Sequence, residues 1–441
     1  MKINPIMTTP PTRISNRVAA QSEPKATALE ENESAVESEV VERSRPGPQR
    51  DSAPLTSWRK NYEAELGLEP KLTKLRKQAL EDGGPEMLYR MYPLLFQQDL
   101  QGPYQAMAQL LPEKGPKIAL AGACHLGNFG TLRNANQEVL WSLNDYDQVG
   151  KGRVESDLCR AAASLTLLCK TRGWDKKTAQ KLVEEFTDRY CQGIEARPQE
   201  AVLGLDKESA REPVHALIKK AEKRTQEDLL AKWAQPEGDG FKFKLGDDLH
   251  PLEPEQSDRL QRLLDEVRLP STVNVLDQCC RWDAGGSSMG LERYYILVQK
   301  DGESLPVIVE LKQVLPCALG TSDPDPKNCD AELLRKGFKW MGAPKDHWQR
   351  VIQGDNGVYL MRERQRARDS LKSEDIREED ADKLARQIGK VLAQAHCNGG
   401  KADKISDWID GQKKLLSDNL YDFAHSYSLQ MTQDFQELFR S

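Results

Sequence analysis

The residues able to do chemistry gather in two short segments. The first is the loop Gly122-Ala123-Cys124-His125-Leu126-Gly127-Asn128, followed after an expected strand, turn and strand by Asn144-Asp145-Tyr146-Asp147. An amide and carboxylates brought together across a hairpin are hard oxygen donors, the set that grips Mg²⁺ beside phosphates. Asn128, Asp145 and Asp147 are therefore the candidate metal ligands. The plainer alternative is an Asn in a turn and acids that end a hairpin. The second segment is Ala284-Gly285-Gly286-Ser287-Ser288-Met289-Gly290 ahead of one expected strand, with Lys312 on the next. A Gly/Ser loop lets backbone N–H groups close on a phosphate, and a strand lysine neutralises it. Gly285, Gly286, Ser287, Ser288, Gly290 and Lys312 are the candidate nucleotide contacts. Lys312 also reads as half of a solvated pair with Glu310, which shares its strand face. Taken together, the two segments make ATP and Mg²⁺ the expected cofactors.

The elements that must position these residues follow from pattern. Lys117–Ala121, Phe129–Leu132 and Val139–Leu143 read as three short strands of one hairpin-like unit, with Asn134–Gln137 as a turn. A helical, amphipathic stretch precedes them from Trp58 to about Leu111. Leu158, Ala161, Ala162, Leu165, Leu168 and Cys169 recur at helical spacing, as do Ala179, Leu182, Val183, Phe186 and Tyr190. Helices are expected near Leu217–Trp233 and Gln256–Val267. Arg293–Val298 and Val307–Lys312 form a strand pair, Gly357–Met361 a further strand. Leu384, Ile388, Val391, Leu392 and Ala395 make one C-terminal stripe, stopped by Gly399-Gly400, and residues from Leu420 to Leu438 make another.

Composition sets the frame. The chain has 441 residues, 38% hydrophobic, with 63 basic and 69 acidic side chains and a net charge of −6. That length suggests roughly two lobes, and the charge makes nucleic acid an improbable partner. No run is apolar enough to span a bilayer, and the opening MKINPIMTTPPTRISNRVAAQ has no apolar segment of the Sec type. The expected location is the cytoplasm, or a host cell reached by a route that needs no Sec signal. Residues 1–56 lack aromatic residues and carry seven prolines and an acidic run, so they read as a disordered tail, plain or export-related. Nine scattered cysteines without a C-x-x-C pair fit reduced thiols. The adjacent Cys279 and Cys280 are a weak redox hint.

In its ordered motifs the chain resembles the bacterial family filed as domain of unknown function 2252, whose members look protein-kinase-like or aminoglycoside-phosphotransferase-like. The resemblance runs from about residue 57 to the end. Its G-D-x-H-x-x-N-F-G motif corresponds to Gly122–Gly130, its N-D-F-D motif to Asn144–Asp147, and its next acid and helix arginine to Asp157 and Arg160. Ser288–Tyr294 corresponds to G-S-x-G-L-x-R-Y, Lys312 to the strand lysine, and Leu392–His396 to a Leu-Ala-x-Ala-His motif. The resemblance implies an α+β, circularly permuted protein-kinase-like fold, because the Gly loop and lysine follow the catalytic loop. Residues 57–271 and 365–441 would build the larger helical lobe and 272–364 the small β-rich, nucleotide-binding lobe.

Two departures shape the functional expectation. Ala123 stands where the family has an Asp, five residues before Asn128. A kinase uses that carboxylate as a base, worth roughly 10²–10⁴ in rate. The Gly loop is thinned at Ser287, and Gln313 replaces an acid after the lysine. His125 is the candidate substitute base and, with Asp145, the candidate catalytic residue. Cys124 is a remoter nucleophile, and His396 reads as structural. The expectation is an atypical transferase moving phosphoryl or AMP to a protein or small-molecule acceptor. A non-catalytic pseudokinase, with effector delivery as one setting, is the rival.

Overall fold

Leu158, Ala161, Ala162, Leu165 and Leu168 are at most 2% exposed in the computed structural model, and the helix that carries them is buried from Glu155 to Cys169. A helix buried on every side must sit at the centre of a core. The structure describes residues 50–51, 54–197, 203–238, 240–320, 323–344 and 346–440. Helices α1–α4 (Leu55–Glu65, Pro70–Met91, Pro93–Gln101 and Gln105–Ala108) lead into strands β1–β4 (Lys117–Leu120, Phe129–Arg133, Val139–Leu143 and Gly150–Arg153). The buried helix is α5 (Glu155–Arg172), followed by α6 (Lys176–Glu195), α7 (Val214–Glu222) and α8 (Gln226–Trp233). Next come β5 (Ala234–Glu237), β6 (Gly240–Phe243) and α9 (Pro254–Val267). Strands β7–β9 (Val273–Cys280, Arg293–Lys300 and Val307–Gln313) precede α10 (Ala331–Met341), and β10–β12 (Arg350–Gly354, Gly357–Glu363 and Asp369–Ser370) follow it. Helices α11–α13 (Glu378–Asn398, Ala402–Ile409 and Lys413–Leu438) close the chain. The fold is mixed α+β.

Two bodies of this fold matter for function. The helical body packs α6 against α5, α11 and α13 around Leu165, Phe186, Val391 and Phe423. The other is an antiparallel five-stranded sheet in the order β10-β11-β9-β8-β7, with Leu260, Leu263 and Leu264 of α9 packed against one face. Register in this sheet sets Arg293 opposite Lys312 and Arg362 opposite Glu310, so their side chains share one face.

Several expectations are corrected. The strand at Lys117 pairs with β4 and not with the β2–β3 hairpin, which β12 extends instead. The helix expected over Leu217–Trp233 is two, because Thr225 and Asp228 form a capping box that starts α8 afresh. Most of the expected tail lies outside the described residues. Order nevertheless begins ahead of Trp58: Leu55 is buried in α1, and Arg50 pairs with Asp99 (2.8 Å) and Asp434 (2.5 Å). Cys279 and Cys280 lie on opposite faces of β7, in different clusters, as alternation along a strand requires. All nine cysteines are free thiols. Among the described residues no helix is long and apolar enough to cross a membrane.

Candidate functional site

The loop before β2 is held from behind. Gly122 has φ +74°, and a methyl there would lie 2.0 Å from the Gln148 carbonyl oxygen, so only glycine fits. Asp157, in the first turn of α5, accepts the N–H groups of Ala121 (2.7 Å) and Gly122 (2.9 Å). His396 of α11 is hydrogen-bonded to Asp157 (3.1 Å) and, through its other ring nitrogen, to the Tyr190 hydroxyl (2.8 Å). Asp157 and His396 are completely buried. Leu126–Asn128 then makes one 3₁₀ turn, its first N–H donating to Ser164 Oγ at 2.9 Å.

Asn128 projects from that turn. Its Nδ2 donates to the Ala123 and Asp145 carbonyls at 3.0 and 2.8 Å, which fixes the amide and leaves Oδ1 buried without a partner among the described residues. The β2–β3 hairpin brings Asp145 alongside, and the Asn144 N–H closes onto the Asn128 carbonyl at 3.1 Å. From β9, Lys312 reaches Asp145 Oδ1 and Oδ2 at 3.0 and 3.2 Å and Asp147 Oδ2 at 2.5 Å. Asp147 Oδ1, like Asn128 Oδ1, is buried without a partner among the described residues. With Asp145 these are hard oxygens beside a cleft, of the type a divalent cation takes, and Lys312 fills the space between the two carboxylates.

The remaining walls are charged. The cavity, about 130 Å³, is lined by Arg90, Arg293, Lys312 and Arg362 against Asp145 and Asp147, with Ala123, His125 and Gly285–Ser288 around them. Glu310 corrects the solvated-pair reading of its strand. It is 3% exposed and pairs with Arg293 (2.5 Å) and Arg362 (2.7 Å) rather than with Lys312. Arg76 pins the Gly loop by donating to the carbonyls of Ser287 and Met289 at 3.1 and 2.8 Å, and Arg293 donates to Ser288 Oγ at 3.1 Å. Gly290 does not join the cleft. At φ +84° its N–H bonds the Trp282 carbonyl, and the residue packs towards Leu68 and Leu72.

Electrostatics separates the acids. Burial raises the Asp145 pKa, but Lys312 and Arg362 outweigh it and hold the carboxyl well below the usual range. Burial, then the charge of Asp145, pushes Asp147 up to about 6. The pair therefore holds one proton below about pH 6 and is largely ionised at neutrality. Burial, then Arg90 and Arg160, holds His125 far below its ordinary pKa, so its imidazole is neutral and a weak base. Burial raises the Cys124 thiol well above its ordinary value, which removes it as a nucleophile at neutral pH.

Sequence reasoning missed Arg90, whose Nε is buried without a partner among the described residues, and the roles of Arg76, Arg293 and Arg362. A signal existed for Arg90: it interrupts the apolar stripe of Met87, Leu88, Met91 and Tyr92.

The site is thus a charged cleft between a five-stranded sheet and a helical body in a mixed α+β protein. Residues 68–441 match the family described as uncharacterized protein conserved in bacteria (DUF2252), and the chain belongs to that family. No curated protein and no solved structure matches it.

Proposed function

We propose that the chain is an atypical, circularly permuted kinase-like protein that binds ATP with Mg²⁺ and transfers phosphoryl or AMP. One observation carries the reading. Lys312, on the third strand from the β7 edge in chain order, pairs with Asp145 and Asp147, and all three line one cavity with Asn128 and the Gly/Ser loop that joins the first two strands. Kinase-type phosphoryl transfer uses those parts: a loop over the phosphates, a strand lysine, and an Asn and Asp for the metal. Asn128, Asp145 and Asp147 would hold the metal, which supplies charge neutralisation at phosphate oxygens. Lys312, Arg293 and Arg90 would orient the phosphates. One part departs: kinases pair the strand lysine with a helix glutamate, whereas Lys312 pairs with Asp145 and Asp147. A cleft of about 130 Å³ is smaller than ordinary small-ligand sites of roughly 300 Å³ or more, so binding a whole nucleotide requires the loop to lift.

The rival reading, a pseudokinase binding module, draws on Ala123 and on the neutral, weakly basic His125, which leave no ordinary base for an acceptor hydroxyl. Thermal denaturation with and without ATP–Mg²⁺ tests nucleotide binding, since a ligand of the native state alone stabilises it by about 2.7 kcal/mol at a hundredfold excess over Kd. No shift at millimolar nucleotide overturns the nucleotide reading and favours the binding module. Where a shift is seen, ATP labelled on the γ- or the α-phosphate distinguishes phosphoryl transfer, AMP transfer and binding alone.

A further inference from the structure

Gln97, Gln101, Gln105 and Gln109 recur every four residues across α3 and the α4 region. All four line one cavity of about 440 Å³, separate from the charged cleft. Such a volume is that of an ordinary small-ligand site. The floor of this cavity is buried and polar: Gln97, Glu155 and Ser156 are 5%, 4% and 8% exposed. Gln97 Nε2 donates to Ser156 Oγ at 2.9 Å, and Glu155 Oε1 accepts the Gly115 N–H at 2.6 Å. Glu155 Oε2 has no partner among the described residues. A buried acceptor left unpaired costs free energy, and a donor from whatever fills the cavity relieves it.

The chemistry of the walls selects the occupant. Gln97 and Gln109 each spend one N–H on Ser156 Oγ and the Pro112 carbonyl, and the glutamine amides still offer both acceptor oxygens and N–H donors, which matches groups that both donate and accept. Hydroxyls do both. An ammonium ligand would meet Lys114 and Arg153, and a bare anion would meet the Glu155 carboxylate. Leu100 and Leu319 add apolar surface for the C–H face of a ring. We propose that this cavity is a binding site for a neutral polyhydroxylated molecule of saccharide size, held by the glutamines and Glu155. The site is independent of the nucleotide reading. It does touch β4 and the start of α5, which follow Asp147 in the chain, and the loop after β9.

The test uses the full chain and three probes, glucose, maltose and myo-inositol, in calorimetric titration and amide hydrogen exchange. At least one is expected to bind in the millimolar range and to slow exchange in residues 97–109 and 150–156. Gln101 and Gln105 are exposed, so Gln101→Ala and Gln105→Ala should leave the melting temperature nearly unchanged. Each should weaken binding by about 3- to 10-fold, the loss of one hydrogen bond. Three results overturn the proposal: no binding of any probe at tens of millimolar, binding unaffected by both substitutions, or binding of inorganic phosphate in place of the sugars.

Discussion

Asp147 carries a stability cost that one atom exchange can remove. Burial and the neighbouring Asp145 move its carboxyl from an ordinary 3.8 up to about 6. Each pKa unit is about 1.4 kcal/mol, so ionising this group costs about 3 kcal/mol more in the folded chain than in the unfolded one. The sign follows from which state holds the proton more tightly. Here the folded state does, so the favourable contribution is complete below pH 3.8 and is lost as pH rises through about 6. Asparagine has the shape of the protonated acid and nothing to ionise, and Asp145 still faces Lys312 at 3.0 Å. Asp147→Asn is expected to match the wild type near pH 4. At pH 8 it should exceed the wild type by up to about 3 kcal/mol. Urea unfolding of both proteins across that range, followed by tryptophan fluorescence, reads the difference directly. A variant less stable than the wild type at pH 8, with a deficit that does not shrink on acidification, would show that the Lys312 contact at 2.5 Å outweighs burial. The shared-proton account of the pair would then be wrong.

Three further substitutions probe the surroundings. Gly122→Ala places a methyl 2.0 Å from a backbone oxygen at φ +74° and should cost more than about 2 kcal/mol; a wild-type melting curve would refute the packing described. His396→Phe removes a buried donor from Asp157 and should lower stability by about 1–3 kcal/mol in urea unfolding. An unchanged midpoint would mean that Ala121 and Gly122 suffice to satisfy Asp157. Ala123→Asp sets a carboxylate where the proposed kinase-like chemistry needs a base, so γ-phosphate transfer should rise by roughly 10²-fold or more. Loss of a transfer that the wild type already performs would assign the alanine to a different mechanism.

What was legible in the sequence was mostly local. Helices α5, α6 and α11 announce themselves because one apolar face repeats over four or more turns. The Asn128–Asp145 pairing was legible because a single hairpin enforces it. Strand β4, Gly150-Lys151-Gly152-Arg153, was not, since it has no strand propensity and owes its extended form to pairing with β1. Likewise Pro236 hid the β5–β6 pair. Glu310 was placed on the correct face of its strand, but its burial depends on arginines from β8 and β11, whose cross-strand register no local pattern reveals. Gly290 shows the converse error. A glycine in a Gly/Ser run was read as a phosphate contact, whereas its positive φ serves a turn against α2.

The unpaired atoms of the cleft bear on the proposed function because they differ in sign. Among the described residues, Arg90 Nε is a buried donor without an acceptor, while Asn128 Oδ1 and Asp147 Oδ1 are buried acceptors without a donor. A chain selected only for stability would replace such groups by apolar ones or pair them with each other. An anion alone would satisfy Arg90 and repel Asp147. A cation alone would satisfy the oxygens and face Arg90, Arg293 and Arg362. An anion carrying its own cation meets both demands at once, and a phosphate chain with Mg²⁺ is such a ligand. In that case Lys312, now held by both carboxylates, would exchange an ion pair within the protein for one with phosphate. The exchange leaves the carboxylates to the metal, so nucleotide affinity should depend on Mg²⁺ more steeply in the wild type than in Asp147→Asn. Equal dependence in the two proteins, measured by titrating Mg²⁺ at fixed ATP, would mean that Asp147 does not take part.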